Sequence, residues 1–255
     1  MKRILFILLI FISVLFIQQT LVFGKEKQKP QLETIHVYEE DITGDGKKDK
    51  IELKGTKFDK TSPYFINTEA QITTSNDKKF NIPLPGGYDP TLQFIDLNHD
   101  QVNDIFYQSA TGGSGGLYNH QLYTLKNNKL VEIPLPTQQY VEGSFQDEFK
   151  VSLRISPVDK PIIINVQNRK DDYIRLGIYN KEGKLQKGKS EIMIDPIAFY
   201  EPILIGGQKG YGLKSYQQVS GAYHADQLGT IETIWYFENG KWIALNTKWV
   251  PSQTT

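Results

Sequence analysis

"DITGDGKKDKIEL", Asp41–Leu53, sets aspartates four residues apart at Asp41, Asp45 and Asp49, and then alternates, with Ile51 and Leu53 apolar on either side of Glu52. Alternation of this kind is the mark of a strand with one buried face. The acidic stretch before it has two readings: a solvated turn of ordinary Asp and Gly residues, or a loop of oxygen ligands around a hard cation. An echo bears on the choice. "DLNHDQVNDIFYQ" begins at Asp96, 55 residues further on, and repeats the aspartates at Asp96, Asp100 and Asp104 before running into apolar residues again.

A second signal has a similar period. "ITTSNDKKF", "LYTLKNNKL", "GIYNKEGKL" and "WYFENGKW" each read as an apolar strand, a polar turn, a lysine and a closing apolar residue. Asn, Asp and Gly tolerate the positive φ that hairpin turns need. The closing residues Phe80, Leu130, Leu185 and Trp242 are spaced by 50, 55 and 57 residues. "NIPLP" at Pro83–Pro85 and "EIPLP" at Pro134–Pro136 recur at 51. Self-similarity at such a period predicts repeats stacked or arranged around an axis. No long helical periodicity is present; short runs such as "KIEL", "YIRLGIY" and "TIETIWYF" read as strands. The expected fold is all-β, built from repeated antiparallel units of about 55 residues and β-propeller-like, with a β-sandwich as the alternative. The units fall at 32–85, 86–140, 141–195 and 196–250, within one domain over 32–250 that leaves a tail at 251–255.

In the first acidic loop the oxygens in ligand position are Asp41, Thr43, Asp45, the carbonyl of Lys47, and Asp49. In the second they are Asp96, Asn98, Asp100, the carbonyl of Val102, and Asp104. Gly46 supplies an unusual backbone where Gln101 stands in the second loop, at about 1–2 kcal/mol if that residue must be left-handed. An EF-hand is disfavoured. Glu52 would be its twelfth position, but glycine and proline follow where a helix is needed, and Tyr107 holds that position in the second loop.

The two stretches "DITGDGKKDKI" and "DLNHDQVNDIF" resemble the calcium loops of bacterial FG-GAP or VCBS-type repeats, related to integrin-α propeller repeats. The resemblance implies a loop that joins two strands, binds Ca2+ and steadies one repeat. Thr43, His99 and Gln101 depart from the pattern, the third and fourth units lack the loop, and four blades are few for that family.

The chain of 255 residues opens with Lys2 and Arg3, an apolar run from Ile4 to Ile17 and a polar break. This reads as a signal peptide over 1–24, cleaved after Gly24, and a short linker over 25–31. The expected location is therefore secreted or at the cell surface, with membrane association only if the segment stays uncleaved. Without cysteine there is neither a lipidated cysteine nor a disulfide. Removing Lys2 and Arg3 takes the formal net charge from 0 to −2, so nucleic-acid binding has no electrostatic support.

"GGSGG", Gly112–Gly116, fits a G-x-S-x-G pattern around Ser114, but a nucleophile elbow requires a helix after it and "LYNHQLYTL" reads as strand. The glycine loop is followed by His120, and a similar stretch in the fourth unit is followed by His224, which predicts equivalent places for the two histidines. Trp235, Trp242 and Trp249 read as packing of the last unit. The function these residues suggest is a calcium-stabilised binding or surface module, whose partner is an unidentified surface, cell-wall or protein ligand. The competing readings are a secreted hydrolase using Ser114, His120 and an acid, and a structural envelope or coat component.

Overall fold

The structure is a computed structural model that describes residues 32–137, 140–188, 190–207 and 209–252. The signal peptide and linker expected over 1–31 lie outside the described residues. The fold is all-β and antiparallel throughout, with none of its sheets closed into a barrel.

The first sheet is a meander of seven strands: β1 (Leu32–Glu40), β2 (Asp49–Lys57), β3 (Tyr64–Thr73), β4 (Lys79–Ile95), β5 (Asp104–Ala110), β6 (Tyr118–Lys126) and β7 (Lys129–Glu132). Its pairing divides β4 in two. β3 pairs with Lys79–Tyr88, and β5 pairs with Tyr88–Ile95. Two four-stranded meanders thus share one bent strand, and the bend falls at Gly86–Gly87. The expected unit boundary at 85/86 lies inside this strand, so the first two intervals are joined in one sheet. Pro83 and Pro85 lie in the first half of β4, which pairs on one side only. Proline, having no N–H to donate, is tolerated there.

A three-stranded sheet follows, of β8 (Glu142–Gln146), β9 (Lys150–Arg154) and β10 (Ile162–Asn165), ordered β10-β9-β8. The expected strand "YIRLGIY" is instead entered by a short helix, α1 (Lys170–Arg175). Asp171 and Asp172 sit in its first turn and Arg175 in its last, the polarity a helix dipole favours. Tyr173 is buried edge-on against Phe145, with ring centroids 5.2 Å apart. One helical turn buries this ring in a way that the alternating pattern did not disclose. The last sheet is a four-stranded meander of β11 (Met193–Ile205), β12 (Gly210–Ser220), β13 (Gln227–Glu238) and β14 (Lys241–Pro251).

Three cores hold these layers together. Ile51, Leu53, Ala70 and Ile82 of the first meander pack on Leu92, Ile105 and Tyr107 of the second. The other face of the second meander, through Leu97, Phe106 and Leu122, packs on Leu213 and Trp235 of the last sheet. Phe145, Val151 and Leu153, with Tyr173, pack on Val219, Leu228 and Ile231 of the last sheet. β5 is accordingly buried on both faces, which explains its unbroken apolar run "IFY", Ile105–Tyr107.

The four turns expected from sequence are all present with positive φ. Asp77 closes β3–β4, Asn127 and Asn128 close β6–β7, and Asn239 and Gly240 close β13–β14. Gly183 turns the stretch between Tyr179 and Leu185, which meet in a β-bridge. Phe80, Leu130, Leu185 and Trp242 each pack against one of the cores. Trp235 is buried, with its indole N–H donating to Ser215 Oγ at 2.8 Å, and Trp249 lies against the core around Val219.

Candidate metal centre

The two acidic loops share three aspartate–amide bonds, although Asp41 Oδ1 takes the Thr43 and Gly44 amides where Asp96 Oδ1 takes Asp100 N. The first aspartate of each accepts from the amide five residues on: Gly46 N to Asp41 Oδ2 at 2.8 Å, and Gln101 N to Asp96 Oδ2 at 2.9 Å. The middle aspartate accepts from the amide two residues on: Lys47 N to Asp45 Oδ1 at 2.9 Å, and Val102 N to Asp100 Oδ1 at 3.0 Å. The last aspartate reaches back seven residues, taking Ile42 N onto Asp49 Oδ2 at 3.0 Å and Leu97 N onto Asp104 Oδ2 at 2.9 Å. These bonds explain the four-residue spacing. A carboxylate at each turn of the loop satisfies amides that no strand can take up.

The backbone dihedrals match as well. Gly44 and Gly46 have φ of 74° and 81°, and His99 and Gln101, at the same places, have 62° and 69°. The left-handed residue anticipated at Gln101 is there, and His99 is a second. Each carries a Cβ into a region that costs about 1–2 kcal/mol. Gln101 is exposed and its side chain has no partner to lose among the described residues. Gln101→Gly is therefore expected to stabilise the protein by about 1 kcal/mol, read as a shift of the urea midpoint at unchanged slope. An unchanged midpoint would show that the second loop does not keep the first loop's backbone.

The loops touch each other. A Cβ on Gly44 would lie 2.7 Å from Val102 Cγ2. Each loop is also pinned by the turn of the hairpin after it, through residues that sequence reading did not single out. Ser75 N donates to Asp49 Oδ1 at 2.8 Å and Ser75 Oγ to Asp45 Oδ2 at 2.5 Å. Lys126 Nζ stands 2.9 Å from the Asp100 carbonyl and 3.2 Å from Asp100 Oδ2. The available signal was the near-equal period of loops and hairpin turns, which puts each turn beside its loop. On its far side the second loop meets the last sheet, where the His99 ring stacks on Tyr236 at 4.4 Å.

The donor sets differ in what they leave free. In the first loop Thr43 Oγ1 is buried and without a hydrogen-bond partner among the described residues. The same hydroxyl lies near the Asp45 carboxylate and adds to its lowering, so it is loosely engaged and could turn to a cation. In the second loop Asn98 is engaged: its Oδ1 accepts Asp100 N at 2.9 Å, and its Nδ2 donates to Asp104 Oδ1 at 2.8 Å. The amide nitrogen of Asn98 thus occupies an oxygen that an ion would otherwise take. Burial raises the Asp104 carboxyl to about 7, against the lowering by Leu97 and Asn98 amides. Asp45 is held below its usual value, chiefly by the Ser75 hydroxyl and then by the Lys47 amide. Among the described residues no three carboxylate or imidazole groups converge as a metal-holding cluster. A site here would draw on Thr43, Asn98 and the Lys47 and Val102 carbonyls as well. Glu52 is no ligand; it lies on β2 beside Lys50 at 3.3 Å and Lys54 at 3.7 Å.

The two histidines expected in equivalent places are not. His120 lies within β6, paired with Gln108, while His224 lies in the turn between β12 and β13. The shared Gly/Ser loop precedes a strand residue in one case and a turn residue in the other. His120 is enclosed by the rings of Phe106, Tyr118 and Tyr200, and its Nε2 faces the Tyr200 amide at 3.4 Å. Burial pushes the His120 imidazole down to about 4.

Residues 139–250 match a family described as the YybI C-terminal domain. That stretch begins just before β8 and runs into β14, and it does not include the acidic loops. The chain is 27% identical over 201 residues to the "Uncharacterized protein YybI" of Bacillus subtilis (strain 168), covering 76% of each chain. Among solved structures, rhamnogalacturonan lyase YesW aligns at 13% identity with a TM-score of 0.35. A Bacillus licheniformis rhamnogalacturonan lyase aligns at 11% with 0.36. Each alignment covers 86% of this chain and 34% of the lyase, so the chain spans about a third of those enzymes' length.

Proposed function

We propose that the protein is a secreted, calcium-stabilised β-repeat module of the FG-GAP or VCBS kind, with propeller-like four-stranded units, that binds a surface, cell-wall or protein partner. One observation carries this reading: two loops 55 residues apart share three aspartate–amide bonds and two left-handed backbone positions. The amide bonds account for each carboxylate singly, but a turn with no ligand gives no reason for the whole set to recur. Asp41, Thr43, Asp45, Asp49 and the Lys47 carbonyl would hold Ca2+ in the first loop. Asp96, Asn98, Asp100, Asp104 and the Val102 carbonyl would hold it in the second. The ion would neutralise the crowded carboxylates and tie each loop to its hairpin turn. Its role is linkage: binding to the folded state alone stabilises it by about 2.7 kcal/mol at a hundredfold excess over Kd. The first loop takes the larger share, because Lys126 already brings a positive charge to Asp100.

The test is thermal unfolding of the chain from Lys25 after chelation, with calcium titrated back. A rise of about 5–10 °C is expected. Asp45→Ala should remove most of it and Asp100→Ala a smaller part. Coincident melting curves at millimolar calcium would reduce the loops to hydrogen-bonded turns and end the resemblance.

A further inference from the structure

The glycine loop between β5 and β6 is met by a histidine from elsewhere. A Cβ on Gly115 would lie 2.8 Å from His224 Nε2, so the imidazole edge rests against the backbone next to Ser114. The other ring nitrogen, Nδ1, lies 3.3 Å from Asp195 Oδ2. That carboxylate is 12% exposed, and its Oδ2 has no hydrogen-bond partner of its own among the described residues. Asp195 sits where the β11–β12 register shifts, between Ile194 and Ile197, and a bulge there turns its side chain toward the histidine. The His224 carbonyl is held by Gln218 Nε2 at 2.8 Å and Ser220 Oγ at 3.0 Å, which fixes the turn that presents the ring. Ser114 is exposed at the apex of a turn closed by Gly116 N donating to the Gly113 carbonyl at 3.3 Å. The Ser114 and Gly115 amides have no intramolecular acceptor among the described residues. Serine, histidine and acid thus come from three distant stretches, and the His120 expected beside Ser114 is replaced by His224.

We propose that Ser114, His224 and Asp195 form an ester-hydrolysing site independent of the acidic loops. The logic is that of a nucleophile, a base and an orienting acid, which recurs on unrelated folds and is recognised by roles rather than sequence order. Asp195 Oδ2, 3.3 Å from Nδ1, is placed to orient the ring once the contact tightens, with Nε2 toward the loop. His224 Nε2 takes the hydroxyl proton as Ser114 Oγ bonds to the acyl carbon of a carboxylic ester. The C–O bond to the alcohol then breaks, and the leaving oxygen takes the proton from Nε2. Water, deprotonated in turn by His224, releases the carboxylic acid and restores serine. The unpaired Ser114 and Gly115 amides are the available donors for the oxyanion. Exposure of the loop suits an acyl group on a large or surface-bound substrate.

The experiment uses the chain from Lys25 and a fluorophosphonate probe, in which Oγ displaces fluoride from phosphorus, with the labelled residue located by mass spectrometry. p-Nitrophenyl acetate turnover is followed in parallel. Labelling of Ser114 is expected, lost in Ser114→Ala and reduced at least a hundredfold in His224→Gln, both melting as the parent does. Asp195, a positioning residue, is tested by Asp195→Asn, which should slow labelling about tenfold or more and displace its pH profile. A purely structural carboxylate would leave that profile unmoved. Absence of label, label elsewhere than Ser114, or labelling indifferent to His224→Gln in a folded protein overturns the proposal. None of these outcomes alters the calcium response.

Discussion

In chelator, Asp104→Asn is expected to make the protein steadily less stable between pH 7 and pH 4, while His120→Phe should make it more stable over the same range. The two groups are perturbed in opposite directions. The Asp104 carboxyl rises from 3.8 to about 7, chiefly by burial, so the folded state keeps a proton that the unfolded chain has released. Its contribution is full below the unfolded value near 4 and is lost as pH rises through 7. The His120 imidazole falls from 6.5 to about 4, again by burial among Phe106, Tyr118 and Tyr200. The folded state then refuses a proton that the unfolded chain accepts, so stability is full above pH 6.5 and lost as pH falls toward 4. Each window spans on the order of 3–4 kcal/mol. The parent protein should therefore be nearly flat between pH 4 and 7, with the slopes hidden by cancellation. His120→Phe exposes the Asp104 slope and Asp104→Asn exposes the His120 slope. Urea unfolding at half-unit pH steps measures both, and variant profiles that stay parallel to the parent's would refute the assignment. Calcium adds a check, because an ion among the loop oxygens favours the ionised carboxyl. The acid gain of His120→Phe should shrink when calcium replaces chelator.

How much of this was legible in the sequence depends on the range over which each feature is encoded. The acidic loops were readable because their bonds run two, five and seven residues along the chain, within one quoted stretch. The hairpin turns were readable because Asn, Asp and Gly announce positive φ locally. The helix at Lys170–Arg175 was missed because "DYIRLGIY" alternates well enough for a strand. The deciding fact is nonlocal: Tyr173 Oη donates to Asp226 Oδ2 at 2.7 Å, across 53 residues. The pairing of His224 with Asp195 is nonlocal too, and repeat alignment pointed instead to a false equivalence with His120. Ser75 and Lys126 looked like ordinary turn residues, and only contact with Asp45, Asp49 and Asp100 gives them a role. The unit boundary expected at 85/86 falls inside β4, which runs straight through it, bends and changes partner there.

That bend makes Gly86→Ala the substitution with the largest expected loss. A Cβ on Gly86 would lie 2.1 Å from the Phe65 carbonyl oxygen and 2.7 Å from the Ile66 carbonyl carbon, both backbone atoms that no rotamer change can move. The Gly86 carbonyl also accepts Ser109 Oγ at 2.8 Å and Asn119 Nδ2 at 2.9 Å, which tie β5 and β6 to the bend. Moving β4 away from β3 therefore strains these bonds as well. Overpacking costs about 1–3 kcal/mol and each buried polar group left unpaired about 1–3 more, for a total of about 4 kcal/mol or above. At this chain length that lowers Tm by about 8–16 °C. Gly188→Ala is the comparison: its φ of 77° strains any side chain, a strain Gly86 does not carry, but its Cβ would meet nothing within 4 Å. About 1 kcal/mol is expected there. Equal losses in the two variants would show that the close approach at Gly86 is not what the strand depends on. The same change reaches the acidic loops. The first loop hangs on the meander before Gly86 and the second on the meander after it, and Gly44 meets Val102 across the gap. A bend opened by an added methyl should thus weaken the calcium response of a protein whose ten proposed ligand residues are all unaltered, whereas Gly188→Ala should leave that response intact.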